Sequence, residues 1–99
     1  MKLVYSRRAQ SDLAEIHAHV AAQDQDQARS IARELKAHCE ALCSYSRLNP
    51  TTEIPNVRRM PHTRYPFTVY YRVNENLNHV LILRVVRSSR VRRLGRVPR

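Results

Sequence analysis

Glycine is nearly missing from this chain, Gly95 being the only one in 99 residues. That excludes a glycine-rich loop of the kind that cradles phosphates with backbone N–H groups. Lysine is scarce too: Lys2 and Lys36 are the only lysines among 18 basic residues. Cysteine is limited to Cys39 and Cys43, four apart in a helical pattern, where adjacent turns of one helix orient the side chains poorly for a disulfide. Free, buried thiols are the expected state. The histidines at 17, 19, 38, 62 and 79 have no ligand-like spacing, so neither a metal nor any other cofactor is expected. No apolar run approaches the length of a membrane span and no charged-then-apolar leader is present, so a cytoplasmic protein is the expectation. Serine–histidine–aspartate and cysteine–histidine arrangements have no supporting spacing either.

What is present is positive charge, unevenly placed. The net charge is +10, yet residues 1–56 carry seven cations against seven anions. Residues 57–99 hold eleven arginines with Glu75 as their one acid, and so account for the whole excess. Such asymmetry points to an anionic partner for the C-terminal half, either nucleic acid or an acidic protein segment. The preference for arginine fits specific contact, because a planar fork of donors matches carboxylate or phosphate.

The length suits one domain. Within it, Phe67, Val69, Tyr71 and Val73 alternate with Thr68, Tyr70 and Arg72, the period of a half-buried strand. After the polar link 74–78, Val80-Leu81-Ile82-Leu83-Arg84-Val85-Val86 reads as a second, more central strand paired antiparallel with it. Upstream, Lys2–Tyr5 is a short first strand. Ser6 caps a helix whose buried stripe is Ala9, Leu13, Ile16 and Val20, with Asp12 and Glu15 on its polar side. Asp24 with Gln27 starts a second helix, striped by Ala28, Ile31, Ala32, Leu35, Cys39 and Leu42 and ending before Asn49-Pro50. Residues 49–56 form a connector, and Val57–Met60 is a weak strand stopped by Pro61. The order β-α-α-β-β-β predicts an α+β fold, a helical hairpin packed on one face of a small, mostly antiparallel sheet. The domain is expected over residues 1–90, with 91–99 as a basic tail, solvated or docked on a partner. The arginines are expected on the sheet face left open.

These elements resemble the RelE/ParE superfamily of toxins, in its ParE-type branch. The resemblance rests on Ser6-x-x-Ala9-x-x-Asp12-Leu13-x-x-Ile16 with His19-Val20, on Arg58, on Tyr65-Pro66-Phe67 and Tyr71-Arg72-Val73, and on Ile82-Leu83-Arg84-Val85-Val86-Arg87-x-x-Arg90. Arg64 and Arg87 stand where the family often has glycine and histidine. Such proteins are the toxic half of bacterial toxin–antitoxin pairs. The resemblance implies a cognate, ParD-like antitoxin as partner, DNA gyrase as target and inhibition by binding. On that reading Arg58, Arg59, Arg64, Arg84, Arg87 and Arg90, supported by Arg92 and Arg93, are the expected contacts.

The enzymatic alternative is a RelE-like, ribosome-dependent mRNA endonuclease. Cleavage of that type needs a base, an acid and cations around the phosphorane. No lysine follows Lys36 and no tyrosine follows Tyr71, and Ser88 stands where RelE-like sequences carry arginine. Arg84 and Arg87 could stabilise charge and His62 or His79 act as a base, but no matched set is visible, so catalysis stays open as the lesser expectation. A third alternative is a family member without toxicity that binds nucleic acid, with Tyr70 and Tyr65 as the surface aromatics available for stacking. Phe67 and Tyr71 belong to the core if their face meets the helices. Arg84, alone in an apolar strand, must find either a carboxylate (Glu75, Glu53 or one on a helix) or a partner molecule.

Overall fold

A computed structural model describes residues 1–98. Strand β1 (Lys2–Tyr5) leads into α1 (Arg7–Ala21) and α2 (Gln25–Tyr45). Then come β2 (Val57–Pro61), β3 (Phe67–Asn74), β4 (His79–Arg87) and a short α3 (Ser88–Leu94). The expected α+β order is therefore present, with one helix more than the sequence suggested.

The helix starts follow from the caps. Ser6 Oγ accepts the Ala9 N–H at 3.0 Å and donates to the Leu83 carbonyl at 3.0 Å, so the cap of α1 also ties it to β4. Asp24 Oδ1 accepts the Gln27 N–H at 3.1 Å and starts α2. With glycine so rare, two asparagines take the left-handed positions in the turns, Asn56 (φ 65°) and Asn78 (φ 52°). Asparagine tolerates that region better than most side chains do. The single glycine, Gly95, ends α3 at φ 65°, as a left-handed helix terminus favours.

The sheet order is β1-β4-β3-β2, with β1 parallel to β4 and the other pairs antiparallel. The helical hairpin is thus the crossover between two parallel neighbours. Tyr5 pairs with Ile82, the last residue of β4 that β1 reaches. One step on, Tyr70 opposes Arg84 while Tyr71 opposes Ile82, leaving Leu83 as the extra residue of a bulge.

On the helix side, Ala9, Ile31, Leu35, Cys39 and Leu42 meet Met60, Phe67, Val69, Tyr71, Val80, Ile82 and Val85. Tyr71 also pins the exit of α2: its hydroxyl donates to the Ser46 carbonyl and accepts from Asn49 Nδ2. Burial pushes the Tyr5 and Tyr71 hydroxyls up from their ordinary pKa and raises the Cys39 thiol to about 11.

The expectation of an open outer face does not hold. Val57, Tyr70, Val86 and Val97 form a second apolar cluster, flanked by Ile54, Leu83 and Val91. The connector and the chain end fold back over the side of the sheet away from the hairpin. β3 is consequently buried on both faces from Phe67 to Tyr71, and its alternation of apolar with polar residues misled because Tyr70 and Thr68 are covered as well. Tyr70, at 1% exposure, is no stacking platform. The expected division between residues 90 and 91 falls inside α3, and Val97 and Pro98 are buried; Arg99 lies outside the described residues. The segment folds back because its few apolar side chains, too sparse to show a period, cover sheet surface that would otherwise face water.

Candidate functional site

The site grows from the place where β1 runs out. Beyond Ile82 the outer edge of β4 has no strand neighbour, and an unpaired backbone N–H there requires an acceptor. Asp12 of α1 supplies it: Oδ2 accepts the Val85 N–H at 2.9 Å. The same carboxylate takes Arg84 in a fork, Nε to Oδ2 at 2.8 Å and Nη2 to Oδ1 at 3.1 Å. Both side chains are under a tenth exposed. A buried carboxylate with three charge-assisted or backbone donors is well satisfied, and the geometry locks α1 against the β4 edge. Of the partners considered for Arg84, the helix carboxylate is the one present.

Asp12 therefore does not lie on the polar side of α1, as its neighbours suggested. Position 12 follows Ala9 by three and precedes Ile16 by four, so it lies on the margin of the same stripe. An acid there, matched to the one arginine inside an apolar strand, was the readable signal.

Around this pair opens a cleft of about 550 Å³ between α1, the end of β4 and α3, whose cationic wall is Arg8, Arg84, Arg87, Arg90 and Arg93. Arg8 Nε stands 3.6 Å from Asp12 Oδ1, one turn earlier on α1. Arg87, Arg90 and Arg93 follow at a spacing of three, which on a short helix keeps them on one side. Against these cations the cleft sets two carboxylates, Asp12 and Glu15, and Asp12 is already matched by Arg84. Nη1 of Arg84 is buried and finds no hydrogen-bond partner among the described residues.

The eight arginines expected as contacts are not together. Arg84, Arg87, Arg90 and Arg93 share this cleft, and Arg8, which the sequence did not single out, joins them. Arg59 and Arg92 line a separate hollow on the other flank of α3, beside Thr68 and Ser88, whose hydroxyls lie 2.9 Å apart. Half-buried Arg58 lines a further hollow with Arg47 and Arg72, its Nη1 donating to the Asn49 carbonyl at 2.6 Å. Arg64 belongs to the α2 side, where Nη1 meets Glu34 Oε1 at 2.8 Å and the guanidinium lies 5.4 Å from the Tyr65 ring centre.

A second feature is apolar. Leu13, Ile16 and Val20 of α1 are only half buried. With Ala28, Ile31 and Ala32 of α2 they line a groove of about 270 Å³ between the two helices of the hairpin. The stripes read from the sequence are correct in position, but part of each is left facing this groove.

The described residues hold no cluster of three or more histidine, cysteine or acidic side chains that would ligate a metal. None of the described helices is long and apolar enough to cross a membrane.

Comparison with known proteins gives a consistent picture. A family model described as the ParE toxin of the type II toxin–antitoxin system parDE matches residues 3–92. A chain of the chromosomal ParDE toxin–antitoxin system from P. aeruginosa is 26% identical, with a TM-score of 0.77 over 88% of this chain and 95% of that one. The intact E. coli RelBE toxin–antitoxin complex contains a chain of similar fold, 14% identical, with a TM-score of 0.67 over 87% of this chain and 94% of that one. The isolated E. coli RelE toxin matches at 15% identity and a TM-score of 0.66, over 94% and 97%. No curated protein matches the sequence.

Proposed function

Because the chain belongs to the ParE toxin family of type II toxin–antitoxin systems, we propose that it inhibits DNA gyrase by binding and that a cognate antitoxin neutralises it. The observation that carries this reading is the match to the ParE family over nearly the whole chain, residues 3–92. Two features of the surface support it. The arginine cleft beside α3 offers a cationic surface to a target. The groove between α1 and α2 offers an apolar seat to an amphipathic antitoxin segment.

Binding rather than bond-making is further supported by what covers the sheet. Tyr70 and Thr68 lie under the returning chain, so the outer face presents packed side chains where a base would have to stack. Ser88 Oγ is engaged with Thr68. The chain of similar fold from E. coli RelBE is found in a toxin–antitoxin complex, and that from P. aeruginosa belongs to a ParDE toxin–antitoxin system; the proposed partner here is of the same kind.

The test is a supercoiling assay with the purified chain and gyrase from the same organism. Inhibition is expected, and relief on adding the product of the adjacent reading frame. Undiminished supercoiling at saturating protein, together with cleavage of mRNA on ribosomes, would replace this reading with the endonuclease.

A further inference from the structure

Among the described residues of the chain's basic half, Arg84 is the one buried arginine, and its guanidinium is not fully satisfied. Two of its three nitrogens serve Asp12, and the third, Nη1, is buried with no acceptor among the described residues. Leaving a guanidinium N–H unpaired out of water is costly. The residue that carries it lines a cleft whose other walls add Arg8, Arg87, Arg90 and Arg93. The site therefore has more donors than the protein itself can use.

We propose that this cleft between α1 and α3 binds phosphate, and that its natural occupant is the sugar–phosphate backbone of nucleic acid. One phosphodiester sits at the Arg84 end of the cleft, and neighbouring phosphates meet Arg87, Arg90 and Arg93. Three features favour this over a carboxylate from a protein. The cations are all arginines, whose forked donors engage two oxygens of one phosphate. They follow α3 at a regular spacing, which suits a ligand with regularly repeated charge. Arg59 and Arg92 carry the charge around to the opposite flank of the helix, farther than one carboxylate extends. The inference goes beyond gyrase inhibition and does not require it: a chain that leaves gyrase untouched can still hold nucleic acid here.

The experiment is fluorescence anisotropy with a short labelled DNA duplex across a range of salt concentrations. It compares the parent chain with an Arg87→Ala/Arg90→Ala/Arg93→Ala variant and with Arg72→Ala, whose arginine lines a hollow formed by other residues. For the parent, log K falls linearly with log[salt], by about 0.9 per neutralised phosphate on duplex DNA. The triple variant is expected to lose about two to three units of that slope and at least about tenfold in affinity at low salt. Arg72→Ala should behave as the parent. Arg84→Lys, which keeps a cation beside Asp12 but loses the fork, should weaken binding, and it is compared with the parent only at a temperature at which melting shows both to be folded. An unchanged slope in the triple variant would overturn the proposal. So would displacement of the duplex by a glutamate-rich peptide at a lower charge concentration than by unlabelled DNA, which would assign the cleft to an acidic protein.

Discussion

Asp12 and Arg84 stand 72 positions apart in the chain and share two hydrogen bonds in the interior. Their pair joins the first helix to the last strand at the point where β1 ends and the Leu83 bulge turns the backbone. Asp12 also closes the Val85 N–H, so one side chain does for the β4 edge what a further strand would have done.

Removing one partner should be severe. Asp12→Ala leaves a buried guanidinium and a backbone N–H without acceptors, and breaking a buried pair in this way costs about 3–5 kcal/mol. Urea unfolding should show the midpoint falling steeply with little change in slope. A loss below about 1 kcal/mol would mean that water replaces the carboxylate and that the pair is not what holds α1 to the edge.

The chain end is part of the core. Val97 packs with Val57, Tyr70 and Val86, and its N–H donates to Glu53 Oε2 at 2.9 Å. Val97→Ala is expected to cost about 1–2 kcal/mol, the transfer of its methyl groups plus a small cavity. Thermal melting checks this, and an unchanged transition would return the segment to the solvated tail that its charge suggested.

Seating of an antitoxin in the groove between α1 and α2 is tested by Ala32→Glu. Ala32 is exposed on the groove wall, so the fold should tolerate the change within about 0.5 kcal/mol. Affinity for the cognate antitoxin, measured by titration calorimetry, should fall at least about tenfold, some 1.4 kcal/mol. Full affinity in a variant of unchanged stability would move the antitoxin elsewhere.

The surroundings of His38 are expected to make stability sensitive to acid. Its ring lies 4.6 Å from that of His62, and its Nε2 has no hydrogen-bond partner among the described residues. Burial, and then the His62 charge, hold its pKa below the ordinary value of 6.5, while the Pro61 backbone and Glu34 oppose that shift. A folded state that prefers the neutral ring contributes stability above pH 6.5 and loses it as pH falls below that value, because the unfolded chain takes up the proton first. Urea midpoints at about pH 7.5 and about pH 5.5 should differ more for the parent than for His38→Gln. Equal differences would remove His38 as the cause.

Much of the fold was legible in advance because it rests on local rules. Ser6 and Asp24 announce their helices by their chemistry, the stripes Ala9–Val20 and Ala28–Leu42 keep helical period, and the hairpin of β3 and β4 shows in its apolar runs. Tyr70 was misread because alternation reports which face a side chain takes, not whether something distant covers that face. Asp12 was misread because its burial depends on a strand more than seventy residues away.

The sequence by itself determined the order of elements from β1 to β4, the excess of arginine after residue 56 and, through the matched motifs, the family; each of these is a property of neighbours along the chain. Only the tertiary structure decided which arginines meet. Arg8, Arg84, Arg87, Arg90 and Arg93 come to one cleft, and Arg58 and Arg64 go elsewhere, because the end of β1, the Leu83 bulge and the turn into α3 set those side chains in space. A guanidinium's partner is fixed by what lies within about 3 Å of it, and that distance is created by folding.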